Sequence, residues 1–247
     1  MVKGIEIFRD YFGDYADEYV LIGGAACDIL FNNNNTSFRV TRDLDMVLIV
    51  EALSKEFGEA FWRFIKAGGY NNKAKSNGTP QFYRFSSPAD ERFPKMIELF
   101  GKSDWLGDDT AVLAPVHIDD SISSLSAILL DSAYYNALLE GRIVVDGLSV
   151  LRPSWLILFK AKAWLDLTDR NRRGERVSNA DMKKHRNDIV RIAVEMVLDD
   201  CTTTGEIRKD IERFLQEADI TDELVHDLKI YGIKAKDITD RLREIYL

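Results

Sequence analysis

Asp43 and Asp45 stand two residues apart where an unbroken apolar run begins, Met46-Val47-Leu48-Ile49-Val50. In a strand, alternate residues share a face, so the two carboxylates project together while Leu44 packs behind them. Side by side they repel, and in an otherwise apolar strand that repulsion calls for a compensating charge. Mg²⁺ is the natural one, since it takes one or two carboxylates and completes its shell with substrate phosphates. The competing reading is a solvated strand start with two exposed aspartates. Glu98, in Lys95-Met96-Ile97-Glu98-Leu99-Phe100, is either outward-facing on an edge or aimed into a site. Beside the aspartate pair on a neighbouring strand it becomes a third ligand. Three carboxylates can hold two metals that clamp the attacking and leaving oxygens of an in-line phosphoryl displacement. Asp90, Glu91 and Asp104 are acidic alternatives close by in sequence.

Gly23-Gly24 follows the apolar run Tyr19-Val20-Leu21-Ile22 and precedes a short helical stretch, Ala25 to Phe31. Glycines there let the backbone approach a phosphate, and the helix start offers unpaired N–H groups and a positive dipole end. A plain tight turn would use the same residues.

These residues must be positioned by a sheet. Strands are expected at Tyr19 to Ile22, Asp43 to Val50 and Lys95 to Phe100, with a hairpin-like region around Thr79-Pro80 and Gln81 to Ser86. A late strand or strand pair is expected at Ile143 to Leu151, around Asp146-Gly147. Apolar spacing predicts helices over Ile5 to Tyr15 and Ser54 to Gly68. Asn32 to Ser37 reads as a polar loop. From Pro153 the character changes: Trp155 to Leu167, Asp181 to Leu198, Thr204 to Ala218 and Asp237 to Tyr246 are helical in period, and no proline follows. The expectation is an α+β chain, with an α/β domain over 1–152 and a helical domain over 153–247.

Composition narrows the function classes. The chain has 247 residues, 46% of them apolar and 30% charged, with a net charge of −8. An acidic balance argues against a generic nucleic-acid coat protein, although a local basic patch can still serve an RNA substrate. Cys27 and Cys201 are far apart, with no CxxC or histidine pattern, so neither a disulfide framework nor a zinc site is expected. The segment from Met1 to Tyr19 has no apolar core of signal-peptide length, and no window reaches the length of a membrane span. A cytoplasmic setting with no membrane contact is the expectation. His117, His185 and His226 are scattered, and no serine or cysteine has a nucleophile-like setting, which disfavours triad chemistry. Arg170, Arg172, Arg173 and Arg176 form a basic run, either a solvated loop or a landing place for a polyanionic acceptor.

Gly23-Gly24, a helix, Asp43-x-Asp45 on a strand and a later strand carboxylate resemble the signature of the polymerase-β nucleotidyltransferase superfamily. Arg39-x-Thr41-x-Asp43-Leu44-Asp45 is similar, more closely, to the AbiEii/AbiGii-type nucleotidyltransferases, which include toxins of toxin–antitoxin systems. Pro153-x-x-Leu156-x-x-x-Lys160 and Lys184-His185-Arg186-Asn187-Asp188 resemble that family's lysine motif and its basic-then-acidic helical motif. The likeness spans roughly residues 18–195; Ala25 departs from it, where many members place a hydroxyl nearby.

The resemblance implies a nucleotidyltransferase-type mixed β-sheet with flanking helices and a helical C-terminal part completing the active-site cleft. It implies Mg²⁺ at Asp43, Asp45 and Glu98 and an NTP whose phosphates lie over Gly23 and Gly24. Arg39, Thr41, Lys160 and Lys184 would contact nucleotide, and Asp188 would stand behind them or beside the substrate. The implied reaction moves NMP from an NTP to an acceptor hydroxyl on tRNA or protein, with release of pyrophosphate and an antitoxin protein as a partner. The alternatives are a small-molecule, antibiotic-type nucleotidyltransferase and a non-catalytic module that binds nucleotide or antitoxin.

Overall fold

Ser54 shows how directly local sequence sets an element. Its hydroxyl accepts a hydrogen bond from the Phe57 N–H at 3.1 Å, capping the helix Lys55–Gly68, which Gly69 ends in the left-handed conformation. The computed structural model describes residues 2–49, 51–74, 80–100, 132–201 and 203–247. The order of elements is α1 (Ile5–Phe12), a 3₁₀ turn (Gly13–Tyr15), β1 (Tyr19–Ile22), α2 (Gly23–Asn33), β2 (Asp43–Leu48), α3 (Lys55–Gly68), β3 (Asn71–Ala74), β4 (Pro80–Ser86), β5 (Met96–Phe100), α4 (Ser132–Gly141), β6 (Arg142–Val145) and β7 (Leu148–Leu151). The helices α5 (Pro153–Arg172), α6 (Asn179–Glu195), α7 (Gly205–Glu217), α8 (Asp222–Asp227) and α9 (Ala235–Tyr246) follow. Among the described residues no helix is long and apolar enough to cross a membrane.

The strands form one mixed sheet in the order β3-β4-β5-β2-β1-β7-β6. β1 pairs antiparallel with β2, β2 parallel with β5, and β4 antiparallel with β5. Tyr19, Leu21, Leu44, Met46, Ile97 and Phe85 occupy one face by this register. That face is sealed by α1 and α3 through an aromatic cluster: Phe8 meets Tyr19 at 5.6 Å between ring centroids, Phe12 meets Phe64 at 5.3 Å, and Phe61 meets Phe85 at 5.3 Å. The opposite face carries Ile22, Asp43, Asp45, Glu98, Arg84 and Ser86.

The chain divides into two compact units. One comprises the described residues up to 100 together with Leu138–Leu151, the other residues 132–137 together with Arg152–Leu247. α4, which the periodicity does not announce, contributes residues to both. In the helical unit, α5 is buried on nearly all sides along its first three turns, as befits a central helix. Around it Trp164 packs edge-on against Phe214 of α7 at 5.4 Å, and the Tyr246 hydroxyl of α9 donates to the Ser154 carbonyl at 2.7 Å.

Several boundaries differ from the periodicity. α2 begins at the glycine pair itself, since Gly23 with φ 65° turns the chain and Gly24 already lies in the first helical turn. It also runs two residues into the asparagine tract, whose Asn32 side chain donates to the Asp28 carbonyl at 2.6 Å. α5 extends to Arg172, beyond the last apolar repeat, because ion pairs rather than burial hold its final turn.

Candidate active site

β2 alternates as its sequence demands: Asp43 and Asp45 are half-buried, while Leu44 and Met46 are fully buried on the other face. Asp45 is the direct register partner of Ile22 on β1 and of Glu98 on β5, and Glu98 in turn faces Arg84 on β4. A row Ile22–Asp45–Glu98–Arg84 therefore crosses four adjacent strands on one face. Asp43 lies two residues along, opposite Met96, which is itself opposite Ser86. The Ser86 hydroxyl is buried and has no hydrogen-bond partner among the described residues.

The glycine pair closes on this row. A Cβ on Gly23 would collide with the Asp45 carboxylate, and one on Gly24 would come within 2.6 Å of the Thr41 hydroxyl and 3.4 Å of an Arg39 guanidinium nitrogen. The fold thus brings Gly23, Gly24, Arg39, Thr41 and Asp45 to one place, from two separate stretches of sequence. Arg39 is steadied by the Phe38 ring, with its guanidinium carbon 5.1 Å from the ring centroid.

Asp43, Asp45 and Glu98 offer the hard oxygen donors that Mg²⁺ prefers, and the Asp45 carboxylate occupies the place that a Gly23 side chain would take. The donor set and its backbone placement fit a magnesium ion. The Glu98 side chain, however, is turned toward Arg84, with which it forms an ion pair. As the side chains stand, no group of three or more His, Cys, Asp and Glu residues among those described is gathered to hold a metal. Of the acidic alternatives, Asp90 is engaged by Arg92, whose hydrogen bonds hold its carboxyl down at about 2. Glu91 is exposed, and Asp104 lies outside the described residues.

Lys160, Lys184 and Asp188 belong to the helical unit. The Lys160 ammonium donates to Asp188 at 2.7 Å, with side chains only 5% and 1% exposed. The lysine motif of α5 and the acidic end of the α6 motif thus meet in a buried ion pair, where the sequence suggested separate roles. Lys184 is exposed on α6, one helical turn before Asp188. Lys162 points elsewhere, to Asp210 at 2.8 Å and Glu206 at 3.4 Å. Burial works against its charge, but the two carboxylates outweigh it and hold the ammonium above the usual lysine range.

No protein-family model matches the chain, and neither does any curated protein or solved structure.

In the helical unit the basic run is only partly paired: Arg170 and Arg173 share Glu175, at 2.7 and 2.9 Å, and Arg172 reaches Glu217 at 3.1 Å, a carboxylate that Arg213 also holds. Arg84 is the residue of this site that sequence reasoning did not find. Its signal was present only as an arginine in the Gln81 to Ser86 strand, and no spacing rule says that it stands opposite Glu98.

Proposed function

We propose that the chain is a Mg²⁺-dependent nucleotidyltransferase of the polymerase-β type, similar to the AbiEii/AbiGii-type enzymes. The observation that carries this reading is the close approach of Gly23 to Asp45, whose strand partner is Glu98. Because Gly23 has no side chain, the Asp45 carboxylate lies directly against the turn that would carry the phosphates. The α2 N-terminus and the Arg39 guanidinium supply positive potential next to it. Bound at Asp43, Asp45 and Glu98, Mg²⁺ would neutralise the triphosphate and polarise the reacting phosphoryl group.

The acceptor hydroxyl oxygen attacks the α-phosphorus, the bond to the β-phosphate oxygen breaks, and pyrophosphate leaves. A carboxylate of the row takes up the hydroxyl proton. Arg39 and Thr41 hold the nucleotide phosphates against the glycines. Lys160 and Lys184 are assigned to the triphosphate, with Asp188 behind them, by the resemblance of their motifs alone. Such catalysis is positioning and charge stabilisation rather than covalent chemistry.

The net charge of −8 favours a small-molecule or protein acceptor over tRNA, because an acidic surface repels a polyanion. An antitoxin partner comes with the resemblance, and a cytoplasmic setting with the cysteine usage and the charged first segment. The test is to incubate the full chain with each α-labelled NTP, Mg²⁺ and, in turn, total tRNA, total cell protein and aminoglycosides. Label should move to one acceptor class with one pyrophosphate released per transfer, and Asp45→Asn should abolish it. No label transfer and no pyrophosphate release with any NTP would remove the reading.

A further inference from the structure

We infer that Arg84 is a built-in counter-cation that holds Glu98 until a divalent ion arrives, so that the three-carboxylate site assembles only on metal loading. The inference rests on the nucleotidyltransferase reading above and concerns a residue outside its motifs.

Three observations carry it. Arg84 is the cross-strand partner of Glu98, and the two form an ion pair with side chains 22% and 11% exposed. Glu98 is at the same time the register partner of Asp45, so the arginine extends the carboxylate row on the side away from Gly23. Finally, although the backbone sets Asp43, Asp45 and Glu98 on one face, their side chains are not gathered around a common point. Strands held in register do not slide to bring ligands together, so Glu98 must change rotamer to join the aspartates.

The arrangement has a physical logic. Three carboxylates on adjacent positions of a half-buried face repel one another. An arginine fixed on the next strand offsets part of that repulsion and lets the sheet form before any cation is bound. A divalent ion offers Glu98 a higher charge at shorter range. The glutamate passes to it, and the Arg84 guanidinium, still anchored on β4, is released beside the incoming triphosphate. Metal binding and nucleotide binding are coupled through the same side chain.

The probe is Mn²⁺, titrated into the full chain and followed by the loss of its free-ion paramagnetic resonance signal. Wild type, Arg84→Gln, Glu98→Gln and the double variant form a cycle. Arg84→Gln should bind Mn²⁺ about tenfold more tightly than wild type, the scale of coupling between two contacting charged groups. In the Glu98→Gln background the same change should have no effect. An equal gain in both backgrounds, or none in either, overturns the inference, because the arginine would then act as a distant charge or not at all. Should Arg84→Gln not fold, Arg84→Lys keeps the charge without the planar fork; it should tighten binding by a smaller factor, and unchanged binding counts against the proposal. Indistinguishable Mn²⁺ binding by wild type and Asp45→Asn would instead strike the metal reading itself and take this inference with it.

Discussion

Asp45 and Glu98 are opposite one another on the parallel strands β2 and β5, and Asp43 lies on the same face two residues from Asp45. None of the three contributes to the sealed aromatic face behind the sheet. Asp43→Asn and Asp45→Asn should therefore each leave the circular dichroism spectrum unchanged. On the proposed reading, nucleotidyl transfer should fall by at least about 100-fold, since even groups that only support a metal ligand are worth 10–100-fold. Unfolding of either variant at room temperature, with metal affinity intact, would make the pair structural.

Gly23 separates backbone strain from crowding. Its φ of 65° costs a side-chain-bearing residue roughly 1–2 kcal/mol. Gly205, with φ 58°, carries the same strain but has open space where a Cβ would be. Gly205→Ala and Gly23→Ala should thus both lose stability on that scale in urea unfolding. Only Gly23→Ala should displace the Asp45 carboxylate, and a misplacement of about 1 Å costs on the order of 100-fold in rate. Equal activity of the two variants would mean that the closeness of Gly23 to Asp45 has no catalytic meaning.

The parts of this fold that the sequence discloses are those governed by local period and punctuation. The Ser54 cap, the Asp43–Leu48 alternation and the turn at Asp146-Gly147 each follow from a few neighbouring residues. What lies beyond reach is register and partner choice. That Arg84 would stand opposite Glu98 depends on how β4 aligns with β5, and that Lys160 would meet Asp188 depends on how two helices pack 28 residues apart in sequence. The helix Ser132–Gly141 is missed because its residues split between two units and so show no single apolar stripe.

Acid should loosen α5 from α7 through Asp169 and Glu217. Hydrogen bonds from Arg213 hold both carboxyls below their usual range. A carboxyl lowered in the folded state stabilises the protein above its ordinary value near 4, and that stabilisation is lost as pH falls through the lowered one. Asp169→Asn should cost about 0.5 kcal/mol at pH 7, discounted for a side chain a third exposed, and progressively less at acid pH below the ordinary carboxyl range. Asp166 has the opposite sign: burial raises its carboxyl, so Asp166→Asn should stabilise at neutral pH. Urea unfolding at neutral and acid pH measures both, and a gap for Asp169→Asn that persists undiminished in acid would refute the assignment.

Lys160 and Asp188 allow structure and catalysis to be told apart. A buried pair that loses one member leaves an uncompensated charge, so Lys160→Met or Asp188→Leu alone should cost about 3–5 kcal/mol. Replacing both with apolar side chains of similar volume removes the stranded charge, and the double variant should recover most of that loss. Lys162→Ala, which loses a part-buried pair to Asp210 and an exposed one to Glu206, should cost less, about 1–2 kcal/mol. Were the pair merely structural, the double variant would regain activity along with stability. The role that the resemblance assigns to Lys160 predicts the reverse: a folded double variant with a raised KM for NTP and a lowered kcat, beside a Lys162→Ala protein with neither defect. Steady-state kinetics on the three proteins, each first shown by urea unfolding to be folded under assay conditions, gives the answer. Full activity in the double variant would remove Lys160 and Asp188 from the catalytic machinery while leaving the Asp43–Asp45 face untouched.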